Sequence, residues 1–520
     1  MVNISTDIVV IGSGIGGLSC GALLARYGYD VVVCESHSIP GGAAHSFSRQ
    51  GFIFDSGPSL FSGLSSRPSP NPLAHVLDAL GEDVPWLNYD TWGCAIPEGT
   101  FLTQVGADQF VEVLRDLRSS QAVQEWQQLQ QVMAPLGKAA IALPPVALRN
   151  DWQVVFSVAR YLGAMLPHLP LVSTLTKPYA QVVKSTVSDP LICNWLDLLC
   201  FLLSGLPASG TLTAEMAFMF ADWYRPGVQL DFPQGGTGAL VNALVRGLKK
   251  FGGELCLNAH VSKILMESDR AVGVTLKTGE VIRAKRAVIS NASIWDTLKL
   301  LPLEHQTSPA VKRLHRERQN ISPCPSFMHL HLGIDGTDLP ADLPCHFIVV
   351  NDWDLGIDAE QNVILVSIPS ILDPSVAPTG KQVIHAYTPA NEPFAHWAAL
   401  DRTSEKYEQL KQQRSQALWQ AIERYIPDVR SRCEVTLVGT PLTHARFLRR
   451  YQGSYGPAIA AGKEMFPSPS TPVPGLYCCG DSTFPGIGLP AVAASALVTA
   501  NSFASLSQHN ALIETVLRRS

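Results

Sequence analysis

Apolar and polar positions follow one another in blocks whose period changes along the chain, and each change marks an element. Residues 7–10 read as a short apolar strand, and a helical pattern runs from just beyond it through Tyr27. A second strand covers 30–34 and ends at Glu35. Residues 259–265 predict a strand, 278–280 a hairpin turn, and 286–290 a strand closed by Asn291 and Ala292. Over 326–333 the period is two, so His329 and His331 share one face of a strand. Residues 403–426 place Tyr407, Leu410, Leu418, Ile422 and Tyr425 on one helical face with charges opposite, a solvated amphipathic helix. Near the end, 475–479 reads as a strand running into Gly480 and Asp481, and 491–500 as a buried helix rich in Ala and Val.

The stretch 120–225 alternates helix-like segments with apolar patches at 140–148, 154–166 and 195–206. Two readings stand side by side: a helical cap over a buried pocket, or faces that rest on a bilayer as a monotopic contact. Pro167, His168 and Pro170 predict that 161–176 is too broken to span a membrane. The uncharged run 482–513 is interrupted by Gly486, Gly488, Pro490 and later polar residues, so no spanning helix is expected there either.

Composition narrows the class. The 520 residues hold 39 Lys and Arg against 44 Asp and Glu, a net charge of -5. Without a basic field, nucleic acid is a poor partner. Only 16% of residues are charged, against about 25% in an average soluble protein. Eleven scattered cysteines without a C-x-x-C pattern predict a reducing compartment and no structural metal. Cys478 and Cys479 read as a strand end, because a disulfide between neighbours is strained. Asp7 breaks the first apolar run, so no signal peptide is expected.

Between the first strand and helix stands Gly12-Ser13-Gly14-Ile15-Gly16-Gly17. Gly12 suits a tight turn, Gly14 lets a pyrophosphate approach the backbone, and Gly17 lets helix pack on strand. The helix N-terminus offers N–H groups to the phosphates. Glu35, 18 residues past Gly17, is placed to accept hydrogen bonds from an adenosine ribose. Gly41 and Gly42 follow directly, which suits a longer cofactor than a nicotinamide dinucleotide and points to FAD. Gly235 to Gly238 lacks the strand context of a second dinucleotide motif, so electrons are expected from outside the chain.

With the Gly480-Asp481 ending and the Phe484-Pro485-Gly486-Ile487-Gly488-Leu489-Pro490 run, these motifs resemble the flavin amine oxidase and phytoene desaturase superfamily. The elements Phe232-Pro233-Gln234-Gly235-Gly236-Thr237-Gly238, Thr440-Pro441-Leu442-Thr443-His444 and Gly453-Ser454-Tyr455-Gly456-Pro457 look like its carotenoid isomerase branch, with retinol saturases as near relatives. The resemblance runs from about residue 5 to 503. Ala43 and Ala44 stand where most flavin amine oxidases carry an Arg, so the amine substrate does not carry over.

The resemblance implies that Gly12, Ser13, Gly14, Ile15 and Gly17 cradle the FAD pyrophosphate and that Glu35 binds the ribose. Gly41 and Gly42 would lie alongside the cofactor, and Gly57, Pro58 and Ser59 near the isoalloxazine ring. Val261 would present backbone to the adenine, and Gly480 and Asp481 would lie near the ribityl-pyrophosphate. Gly488 and Leu489 would open a helix toward the flavin. The fold it implies is α/β, a Rossmann-like FAD-binding domain from 1–95, 230–300 and 465–520. A mixed-sheet substrate domain with a helical cap would take 96–229 and 301–464.

The implied activity is cis–trans isomerisation of a carotenoid-like polyene by reduced flavin, at a membrane surface facing a reducing compartment such as cytoplasm or plastid stroma. Desaturation or saturation with an external donor or quinone-like acceptor is the alternative, and a non-catalytic flavoprotein the third. Acid–base candidates are weaker. His329 and His331 read as sheet histidines held by hydrogen bonds or as a pocket wall. Asp352 and Asp354 read as a turn with a capping acid, and Glu215 and Asp222 have little claim to touch substrate.

Overall fold

The first sheet begins where the apolar pattern begins. In the computed structural model, which describes residues 3–519 apart from 58, 107 and 464, the strand Asn3–Ile11 pairs in parallel with Val31–Cys34 and with Val281–Ser290. Ile8 and Val10 are buried on one side of this strand and Val9 and Ile11 on the other. Burial on both faces explains the unbroken apolar run, as in other parallel sheets. Seven strands make up this sheet: Glu254–Cys256, Val31–Cys34, Asn3–Ile11, Val281–Ser290, Arg270–Leu276 and Val261–Glu267 in order, with Leu476–Cys478 also on Val281–Ser290. The helix Ile15–Arg26 covers one face and packs on Leu489–Asn501.

The second seven-stranded sheet is mixed, in the order Cys433–Gly439, His329–Asp335, Lys381–Tyr387, Val363–Ser367, His346–Val350, Thr91–Ile96 and Gly99–Gln104. Thr91–Ile96 belongs to it, so the boundary expected after residue 95 falls inside a strand. Leu330, Leu332 and Ile334 pack toward the helix Glu405–Glu423, the amphipathic helix expected at 403–426. The alternate residues His329 and His331 face the other way.

A layer of helices lies beyond that second face: Ser120–Ile141, Pro190–Ser204 and Thr213–Trp223, joined through Trp126, Trp195 and Phe220. One segment departs from its expectation. Despite Pro167 and Pro170, residues Val154–Leu175 run as one helical segment of 22 residues in consecutive α and 3-10 turns. Its mean hydropathy is 1.3 and only 6% of its apolar window is buried. Length and composition would let it cross a membrane, a property also found in helices that do not. Pro167 stands at the start of a short turn, where it loses no needed N–H, and the path continues past Pro170 inside the same turn.

Gly235 and Gly236 do follow a strand, Leu230–Pro233, contrary to the sequence reading. That strand lies in a separate three-stranded sheet with Phe61–Ser62 and Trp86–Tyr89. It therefore forms no second mononucleotide unit.

Candidate functional site

The site grows from the glycine turn after the first strand. An added Cβ on Gly17 would stand 2.1 Å from the Gly12 carbonyl oxygen, closer than any side chain tolerates. Gly12 itself takes φ +91°, and Gly41 N–H donates to Ser13 O at 3.0 Å, laying the second glycine pair over the first. Glu35 is buried at the end of its strand, where Oε2 accepts from Ser13 N at 2.9 Å and Ser13 Oγ at 2.6 Å. Its other oxygen accepts from His37 N at 2.8 Å. Ala259 N–H donates to the Glu35 carbonyl at 2.7 Å, so the chain entering Val261–Glu267 passes beside it.

A cavity of about 890 Å³ opens next to this turn and runs between the two sheets beneath the helical layer. Gly14, Ile15, Gly41, Gly57, Ser59, Gly480, Asp481, Gly488 and Leu489 line it. Gly12, Ser13, Gly17, Gly42, Glu35 and Val261 stand outside its lining, behind the turn or toward the far edge of the first sheet. Pro58 lies outside the described residues. The cradle fits a dinucleotide: bare backbone at Gly14, Gly16 and Gly41, a buried carboxylate beyond it, and a helix N-terminus at Gly488 facing the same space. Asp481 forms an ion pair with Arg450, which also lines the cavity.

The opposite wall is made of side chains. His329, Phe327, Tyr387, His444 and Tyr455 line the cavity from the second sheet and its neighbours. His329 Nδ1 lies 2.8 Å from His385 Nε2, and His329 Nε2 lies 2.7 Å from His444 Nε2. His331 Nε2 bonds the Asp55 carbonyl at 3.1 Å. Both sequence readings of the histidines thus hold: His329 is a pocket wall and is also satisfied by hydrogen bonds. Burial is the main reason that His331 is lowered to about 4 and His444 to about 3, and it pushes His329 and His385 well below the ordinary histidine value. These are neutral rings at neutral pH.

Nitrogens of His329, His331 and His385 lie within 4.8 Å of one another, close enough to suggest a metal centre. Ring geometry argues otherwise. His331 and His385 stack at 4.2 Å with 5° between planes, and such rings send their lone pairs along parallel planes rather than to one point.

On the third side, Glu215, Phe218, Met219, Asp222 and Trp223 line the cavity from Thr213–Trp223. From the sequence, Glu215 and Asp222 had little claim to touch substrate. Asp222 is held by Ser62 and, at 3.4 Å, by Arg225. Glu215 Oε2 is buried without a partner, and burial raises the carboxyl to about 8 against the smaller effect of the Leu212 amide. Asp352 and Asp354 form the expected turn, Asp354 N donating to Asp352 Oδ1 at 2.8 Å. Cys478 and Cys479 are free thiols at a strand end, as read.

Sequence reasoning assigned no role to Asn291, Arg450, Tyr387 or His385. Asn291 lies under the glycine turn, its amide nitrogen 2.9 Å from an added Cβ on Gly14 and its oxygen 2.7 Å from one on Gly480. Its place at the end of a predicted strand was the available signal. Arg450 and His385 sit in stretches with no motif at all.

Comparison with known proteins agrees with this geometry. The model of the family described as flavin containing amine oxidoreductase matches residues 15–502. The chain is 31% identical to a chloroplastic prolycopene isomerase of Daucus carota, covering 99% of this chain and 83% of that protein. It is 27% identical to an all-trans-retinol 13,14-reductase of Danio rerio over 91% of this chain and 82% of the relative. The fold also matches the crystal structure of an oxidoreductase from Methanosarcina mazei, with a TM-score of 0.62 at 20% identity over 94% of this chain and 99% of that one. The chain belongs to the flavin-containing amine oxidoreductase family, in the branch of the prolycopene isomerases, and is an FAD enzyme.

Proposed function

We propose that the protein isomerises cis double bonds of a carotenoid-like polyene to trans, with FAD in its reduced state and no net redox change. The observation that carries this reading is the long apolar cavity that begins at the glycine turn and continues past Leu60, Leu143, Leu199, Leu203 and Phe218. Reduced FAD supplies electron density that a conjugated chain can take up and return, or against which positive charge on that chain is stabilised. The apolar walls strip water from the polyene and hold its chain extended. Phe327, Tyr387 and Tyr455 offer flat faces to it.

Cofactor binding falls to Gly12, Ser13, Gly14, Ile15 and Gly17 at the pyrophosphate, with Glu35 at the ribose and Val261 at the adenine. Gly41, Gly42, Gly57, Ser59, Gly480, Asp481, Gly488 and Leu489 would follow the cofactor into the cavity. In this reading the first sheet with 465–520 is the FAD domain, and the second sheet with the helical layer is the substrate domain. A membrane surface delivers the polyene: Trp152, Val155, Phe156, Leu162, Leu166 and Leu169 stand exposed together on or beside Val154–Leu175. Eleven free cysteines suit a reducing compartment. An external donor keeps the flavin reduced.

The test is incubation of the FAD-loaded protein in liposomes with poly-cis and all-trans carotenoids, once anaerobically with reduced FAD and once with oxidised FAD and a quinone. Geometric change at constant mass, only with reduced FAD, is the expected result. Gain or loss of two hydrogens would make it a saturase or desaturase, the reading favoured by its likeness to a retinol reductase.

A further inference from the structure

Glu215 is out of place in a hydrocarbon cavity. It stands at the third position of Thr213–Trp223, whose residues Glu215, Phe218, Met219 and Asp222 turn one face to the space. An added Cβ on Gly486 would lie 3.5 Å from Glu215 Oε2, so this oxygen rests against the loop that leads into Leu489–Asn501. Leu199, Leu202, Leu203 and Ile487 line the same cavity and make it apolar. Among the described residues no ion pair reaches Glu215, and Oε2 has no hydrogen-bond partner. Asp222, about two helical turns away, is instead tied to Ser62 and Arg225. A carboxyl left unpaired in such surroundings keeps its proton, and burial raises it to about 8.

A bland role exists. A Glu at this position can cap the amide of Leu212, and that contact opposes the upward shift. Capping occupies one oxygen and leaves Oε2 unexplained.

We propose that Glu215 is the general acid and base of the isomerisation, giving a proton to the polyene and taking it back. The proposal rests on the isomerase reading and specifies how charge enters the chain. The O–H bond of Glu215 breaks, and the π pair of one C=C forms a new C–H bond. The conjugated remainder becomes a delocalised cation, and the former double bond is now single and rotates. The Glu215 carboxylate then removes a proton from the same carbon, and its C–H electron pair restores the C=C in the trans form. No oxidant or reductant is consumed.

The experiment measures isomer conversion by the FAD-loaded protein in liposomes with a poly-cis carotenoid and reduced FAD, in H2O and in D2O. Wild-type conversion is expected to slow by about two-fold or more in D2O, because an O–H bond breaks in the slow step. Glu215→Gln keeps the shape and the cap but has no proton to give, so conversion should fall by about 10² to 10⁴-fold while the visible flavin spectrum stays. Glu215→Asp should retain slow, isotope-sensitive conversion. If Glu215→Gln sheds its FAD, the Asp variant and the wild-type solvent comparison decide alone. Conversion by Glu215→Gln near the wild-type rate, or equal wild-type rates in the two solvents, overturns the proposal and leaves the isomerase reading standing. A change in product mass with wild-type protein overturns both.

Discussion

The glycine-lined wall of the cavity and the walls facing it hold their ligands by different means. At the first, Gly14, Gly16, Gly41 and Gly480 bring bare backbone to the space, and a single added carbon collides with Asn291 or, at Gly41, with Val241. At the second, His329, Tyr387, His444, Glu215 and Phe218 project side chains whose polarity is buried and, except at Glu215, largely paired. Backbone recognition suits a cofactor that every member of a fold family shares. Side-chain recognition suits a substrate and a reaction that vary within it. Damage to the first wall should therefore remove flavin and activity together, and damage to the second should remove activity alone.

The largest effect is expected at Gly17→Val. With the Gly12 carbonyl 2.1 Å from the new Cβ, the helix Ile15–Arg26 cannot keep its place. Colourless protein destabilised by more than about 4 kcal/mol is predicted, measured by flavin absorbance and urea unfolding. Yellow, stable protein would erase the contrast between the walls. Glu35→Ala ranks next. It orphans the Ser13 amide and hydroxyl, a loss of about 2–4 kcal/mol with weakened FAD retention.

Changes of pH act through buried titratable groups, among them two histidines and Glu215 on or behind the second wall. His331 and His444 are lowered to about 4 and about 3, so between these values and 6.5 the unfolded chain binds protons that the folded one refuses. Stability should fall as pH drops through that window. Glu215 works oppositely: its proton is held in the folded state up to about 8 but released near 4.5 in the unfolded chain. Its contribution is complete below 4.5 and declines as pH rises toward 8. Thermal melts of Glu215→Gln against wild type should therefore diverge steadily from pH 5 to 8, the variant gaining. Parallel curves would place Glu215 in a wetter site than described.

The smallest effect on stability belongs to the outer surface of the cap. Phe156→Ser with Leu166→Ser should change unfolding by no more than about 0.5 kcal/mol per site, since both side chains are exposed. Flotation with liposomes should nevertheless be lost. Unchanged flotation would assign Val154–Leu175 to something other than lipid.

The same contrast decides what could be read from the chain alone. The first wall is local: strand, Gly12 to Gly17, helix and Glu35 occupy one continuous stretch, and Gly17 is demanded by the Gly12 carbonyl a few residues before it. The second wall is assembled from distant pieces. His329, His385 and His444 meet because two strands and the short helix Pro441–Phe447 converge, and only the period-two spacing of His329 and His331 announced part of it. Arg450 reaches Asp481 across a loop without any motif. Glu215 had little claim to touch substrate, since sequence does not show which oxygen folding leaves without a partner. Of the prolines that predicted a broken 161–176, Pro167 stands at a turn start, where it interrupts nothing, and the helical path continues past Pro170 inside that turn.

The central claim is that the cavity rearranges a polyene without consuming electrons. The most direct measurement follows flavin absorbance and isomer yield together, anaerobically, in protein reduced once and then supplied with excess poly-cis carotenoid. Many trans molecules per flavin, with the visible absorbance still bleached, is the result this account predicts. One product molecule per flavin, with the absorbance returning in step, would contradict it.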